Sequence, residues 1–215
     1  MNDMELRQDI LDELAFEPSL EAEHIGVTVD NGVVTLTGHV GSYAQKSTAE
    51  SVVQRIKGVR AIAQDIEVRY PEDKKTADDE IAARAAKIIA WDAALPDGQI
   101  HIKVQKGCVT LSGQVDWHFQ SAAAENAVCK LSGVSGVHNM LTIRPRVDLA
   151  SIKNSIETAL TRNAEIEAEG INVDVSGGKV TLNGRVNTWR ERITAERAAW
   201  SVPGVTAVED RLVVV

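Results

Sequence analysis

The chain repeats itself, and that restricts its fold more than any other feature it has. Offset by 75 residues, Val33-Val34-Thr35-Leu36-Thr37-Gly38-His39-Val40 falls on Cys108-Val109-Thr110-Leu111-Ser112-Gly113-Gln114-Val115. A further offset of 71 brings it onto Lys179-Val180-Thr181-Leu182-Asn183-Gly184-Arg185-Val186. The register holds without a gap over residues 6–69, 81–144 and 152–215. Gly32/Gly107/Gly178, Leu36/Leu111/Leu182, Gly38/Gly113/Gly184, Glu50/Glu125/Glu196 and Gly58/Gly133/Gly204 are identical in all three copies. A fold for one copy must therefore serve for all.

Each copy parses in the same way. Leu6, Ile10 and Leu14 recur at helical spacing, as do Ile81, Ala85, Ile89 and Ile152, Ile156, Leu160, which predicts a first amphipathic helix. Ile25, Val27 and Val29 then alternate with other residues, giving a half-buried strand. Asn31-Gly32, Lys106-Gly107 and Gly177-Gly178 follow, and a two-residue hairpin turn needs the positive φ that such pairs supply. In the returning strand Val34, Leu36 and Val40 point inward. Gly38, Gly113 and Gly184 share that set, so close approach of a helix to the sheet is expected there. Ala49, Val52, Val53 and Ile56 mark the core side of a second helix, with Gly58, Gly133 and Gly204 where a C-terminal cap belongs. A last apolar strand closes each copy.

The fold class that follows is α+β. Three tandem αββαβ domains are expected at 1–70, 76–145 and 147–215, each a three-stranded mixed sheet with two helices on one face. The connectors, Tyr70 to Lys75 and Pro145 to Val147, are short and contain proline. Domains of about 65 residues are marginal alone, so the copies are expected to pack on one another.

A Gly-x-Val-x-Leu-x-Gly-x-Val strand, an Ala-rich helix, Gly-Val-x-x-Val/Ile and a closing apolar strand together resemble the BON domain, named for bacterial osmotic-stress and nodulation proteins. Gly32 to Val40, Gly58-Val59 with Ile62, and Ile66 to Val68 carry the likeness in the first copy, and the other two match equally. The resemblance implies a non-enzymatic, stress-associated module that binds phospholipids or other hydrophobic surfaces, often in the bacterial envelope. Members commonly carry a signal peptide or lipidation site and often two copies.

Here the first ten residues have neither a basic nor an apolar region, so no signal peptide is expected. No apolar run approaches the roughly 20 residues of a membrane-spanning helix. The cytoplasm is the expected compartment, with the periplasm open only if a leader has been removed. The net charge of -8 argues against a nucleic-acid partner. Two cysteines, Cys108 and Cys129, provide neither a disulfide framework nor a zinc ligand set. No metal or cofactor is expected. The five histidines form no His-x-x-x-His pair, and there is no Gly-x-Ser-x-Gly elbow or phosphate-cradling loop. His39 and His101 read as variable surface positions. The shared Glu50/Glu125/Glu196 reads as a cap or ion-pair residue on the second helix. A binding protein is expected rather than an enzyme.

Differences between the copies locate the candidate surface. Residues 3–71 hold 12 acids against 6 bases, 72–146 hold 9 and 9, and 147–215 hold 10 and 8. In the third copy Trp189, Ile193, Glu196 and Trp200 form one helical stripe, flanked by Arg190, Arg192 and Arg197. The counterparts are Tyr43, Ser47, Glu50, Gln54 and His118, Ala122, Glu125, Cys129. Trp beside Arg is the composition of an interfacial membrane contact or a protein hot spot, and it equally suits packing against a neighbouring copy. Trp117 is a further candidate of the same kind. Trp91, in the place of Phe16, is expected in the core. The partners that fit are a phospholipid or membrane surface, a protein partner, or a second copy of the chain.

Overall fold

A computed structural model describes residues 2–70, 76–145, 152–162 and 170–214. The connectors at 71–75 and 146–147 lie outside them. The first copy runs α1 (Asp3–Phe16), β1 (Ile25–Asp30), β2 (Val33–Val40), α2 (Tyr43–Gln54) and β3 (Ala61–Val68). The second runs α3 (Asp78–Trp91), β4 (Ile100–Gln105), β5 (Cys108–Val115), α4 (His118–Cys129) and β6 (Gly136–Ile143). The third runs α5 (Ile152–Arg162), β7 (Ile171–Ser176), β8 (Lys179–Val186), α6 (Trp189–Trp200) and β9 (Ala207–Val214). The αββαβ order and the α+β class are those the sequence predicts.

Each sheet is mixed, its middle strand antiparallel to the first and parallel to the last. The register is the same in every copy: Val27 opposes Leu36 and Leu36 opposes Gln64, repeated as Ile102, Leu111, Asn139 and as Val173, Leu182, Asp210. Helical periodicity from α1 and α2 meets strand alternation on one side of the sheet. Leu6, Ile10 and Leu14 close over Val34, Leu36, Val52 and Val53. Burying each such aliphatic contributes about 1.5–3 kcal/mol. The opposite face keeps Thr28, Thr37 and Glu67 in solvent.

The hairpins turn as expected, with Asn31 at φ 50 and Gly32 at φ 77, and Lys106 at φ 53 and Gly107 at φ 75. Their free amides are held by the first residue of the preceding helix. Asp3 accepts from the amides of Asn31 at 2.7 Å and Gly32 at 3.1 Å, and Asp78 accepts from those of Lys106 at 2.7 Å and Gly107 at 2.8 Å.

Two expectations need correction. Gly38, Gly113 and Gly184 are not needed for a helix. A Cβ there would lie 2.0 Å from the carbonyl oxygen of His24, Gln99 or Gly170, so it is backbone entering the first strand that approaches. Trp91 is not in the core. It ends α3 with 83% of its surface exposed, as Phe16 does at the end of α1, because two residues past the buried Ile89 and Leu14 a helix has turned about 200°, to its outer side.

Candidate functional site

The three copies meet through one contact, made three times. The first residue of each second helix reaches into the next copy. Tyr43 packs on the core of copy two, where burial pushes its hydroxyl up and Glu125 and Cys129 are close. His118 stacks on Trp200 of copy three, ring centroids 4.3 Å apart and planes 11° from parallel. Trp189 packs on the core of copy one as well as on its own. Tyr43, His118 and Trp189 are equivalent positions, so the chain contains a head-to-tail interface that runs one to two, two to three and three back to one. Such an interface closes only if its rotation divides the circle. Here it closes, copy three returning to copy one through Trp189.

The helix-two stripe therefore lies along the seams. Glu50, Glu125 and Glu196 sit in them as hydrogen-bond acceptors from uncharged donors, and not as helix caps. Gln54 Nε2 donates to Glu50 at 3.3 Å, Asn139 Nδ2 to Glu125 at 3.0 Å, and Trp200 Nε1 to Glu196 at 3.3 Å. Tyr70 fastens the end of copy one to copy two by donating to the Val134 carbonyl at 2.6 Å.

Two clefts open on the seams. In the seam from copy three to copy one, Ser51, Gln54 and Arg55 face Arg190, Ile193 and Thr194, with Arg197 also on the wall, around about 290 Å³. In the seam from copy two to copy three, Phe119 and Ala122 face Arg197, Trp200 and Ser201, with Trp117 and His118 behind, around about 610 Å³. The repeat offsets carry Ser51, Gln54 and Arg55 onto Arg197, Trp200 and Ser201, and Phe119 and Ala122 onto Arg190 and Ile193. The clefts are thus one place in the repeat, seen at two successive seams. One is polar and holds three arginines, the other is aromatic, and Arg197 belongs to both.

The residues singled out in the sequence divide accordingly. Trp117, Arg197 and Trp200 come together in the aromatic cleft; Arg190, Ile193 and Arg197 line the polar one. Trp189 and Arg192 are engaged elsewhere. Trp189 is half-buried, with its indole N–H enclosed and without an acceptor among the described residues. Arg192 lies 4.9 Å from the centre of the Trp189 ring and pairs with Asp210 at 2.5 Å. Sequence reasoning missed Phe119, which is 57% exposed, and Arg55, both visible only once the seams bring neighbouring copies together.

The BON domain model matches residues 2–70, 77–145 and 148–215. The chain belongs to the BON domain family. Osmotically-inducible protein Y of Escherichia coli (strain K12) is 31% identical to it over 146 residues, spanning 66% of this chain and 72% of that protein. Among solved structures, the C-terminal domain of CdsD, a structural protein of the type III secretion system of Chlamydia trachomatis, is matched over the whole of both chains. Its identity is 16% and its TM-score 0.28, values at which the likeness carries no argument.

Beyond the seams, the BON copies carry isolated apolar groups on their outer surface. Phe16 and Trp91 occupy one repeat position, whose third occupant is Arg162. Ile88, Lys87 and Arg84 share the exposed side of α3 with Trp91. No described helix is long and apolar enough to cross a membrane. Among the described residues no group of three His, Cys, Asp or Glu is placed to hold a metal ion.

Proposed function

We propose that this chain is a non-enzymatic BON protein that binds phospholipid surfaces during osmotic stress. The observation that carries the reading is the pair Phe16 and Trp91, each 83% exposed at equivalent helix ends. Phe16, Trp91 and Arg162 occupy one repeat position in copies that contact one another head to tail, an arrangement that favours one shared face for both rings and the cation. Two aromatic anchors with a cation beside them suit the headgroup boundary of a bilayer, where amphipathic rings reside. With a net charge of -8 the attraction is chiefly apolar. The stress association is supported by the likeness to osmotically-inducible protein Y. Cys108 and Cys129 are both free thiols, which suits the reducing cytoplasm as the proposed compartment, and cell fractionation tests it.

Co-sedimentation with phosphatidylcholine and phosphatidylglycerol vesicles at low salt tests the lipid reading. The expected result is binding that falls more than tenfold in the Phe16→Ser/Trp91→Ser double variant. Absence of binding to both vesicle types overturns it, and the alternative of a protein-interaction scaffold is then examined by light scattering and pull-down. The stress reading expects the protein's abundance to rise after hyperosmotic shock.

A further inference from the structure

We propose that the two seam clefts together form one site for a monomeric, single-chain anionic amphiphile, a long-chain carboxylate. This site differs in place and in ligand from the vesicle-binding face proposed above. The seam clefts are one place repeated, but their linings are not alike. One presents Trp117, Phe119 and Trp200, and the next presents Arg55, Arg190 and Arg197. Arg197 contributes to both walls, so the basic and the aromatic regions adjoin along α6.

The chemistry this arrangement recognises has two parts. Arginine presents a planar fork that matches a carboxylate, and Arg55 and Arg197 on the walls of one small cleft favour an anion in a molecule that is otherwise acidic. The neighbouring cleft has room for an alkyl chain. A cavity of about 150 Å³ takes a benzene ring, and about 610 Å³ accommodates a chain of about a dozen carbons. A diacyl lipid would need two such apolar clefts, and the equivalent region of the adjoining seam is polar. A neutral apolar ligand would not engage Arg55 and Arg197, and an inorganic anion would not engage the aromatic cleft.

Titration with dodecanoate below its micelle concentration, followed by tryptophan emission, tests the site in the full-length protein. Saturable binding with a change in emission is expected, since Trp117 and Trp200 line the cleft. Arg197→Glu and Phe119→Ser, both at exposed positions, are each expected to weaken it at least tenfold with the thermal melting curve unchanged. Dodecanol and butanoate, which lack the charge and the chain respectively, are expected to bind at least tenfold more weakly. Phe16→Ser/Trp91→Ser is expected to bind dodecanoate as the parent does, so failure at the vesicle face and failure here are distinguishable. No saturable binding overturns the proposal, as does binding unaffected by both single substitutions. Dodecanol binding as tightly as dodecanoate overturns the assignment of an anion.

Discussion

Single residues set the strictest limits at glycines, and the repeat separates two kinds. At Gly184, φ is 141° and a Cβ would meet the Gly170 carbonyl oxygen at 2.0 Å. Backbone must move to admit it, so Gly184→Ala is expected to cost at least about 3 kcal/mol, read from urea unfolding. Gly177 also has positive φ, 59°, but a Cβ there would meet nothing within 4 Å. Its equivalents are Asn31 and Lys106, at φ 50 and 53. Asparagine adopts that conformation with little strain and restricts the unfolded chain, so Gly177→Asn is expected to stabilise the protein by about 0.4–1 kcal/mol. A lower melting temperature for this variant would contradict the equivalence of the turns. The sequence already showed which glycines were shared. It could not show that the contact at Gly184 is with backbone, because the partner is a carbonyl oxygen, which has no residue identity to read.

At the scale of elements, the tie between the second helix and the last strand occupies one place and changes its chemistry from copy to copy. Gln64 Nε2 donates to the Lys46 carbonyl at 3.1 Å in copy one. Asn139 Nδ2 donates to Ser121 Oγ at 2.8 Å in copy two. In copy three Arg192 pairs with Asp210, both side chains largely enclosed. A charge-assisted hydrogen bond in such a setting contributes about 1.5–3 kcal/mol. Arg192→Ala and Asp210→Ala are each expected to lower stability by about that amount, and a double-mutant cycle to return most of it as coupling. Additive losses would show that the pair contributes no mutual term. Helices and strands were legible because their apolar periods are unbroken in three independent copies. The exposure of Trp91 was legible too, since two residues past Ile89 the same period puts it about 200° from the apolar stripe. The Asp3 and Asp78 contacts to the hairpins carried a signal too, an acid at the same repeat position.

For the whole molecule, the closed ring makes the stripe on the second helix a structural seam as well as the wall of two clefts, an outcome that composition alone left open between packing and binding. Whether a tryptophan-rich stripe meets solvent or a neighbour depends on the relative placement of copies more than a hundred residues apart in the chain, as Tyr43 and Trp189 are. That placement has no local signature. It does have a consequence that can be measured at the seam between copies two and three. Burial beside Trp200 lowers the His118 pKa from its ordinary 6.5, with Glu196 and Glu125 opposing. Between the lowered folded value and 6.5 the unfolded chain binds a proton that the folded chain does not, so stability rises with pH across that window. The contribution is therefore fully present above about pH 6.5 and is lost as pH falls through the folded value. His118→Phe keeps a ring against Trp200 and removes the proton. The melting temperature of the parent is expected to fall relative to this variant between about pH 7.5 and about pH 5.5, a span chosen around the histidine pKa to limit carboxylate titration. If the two proteins lose stability in parallel, His118 titrates as it would in the unfolded chain, and the seam does not enclose it.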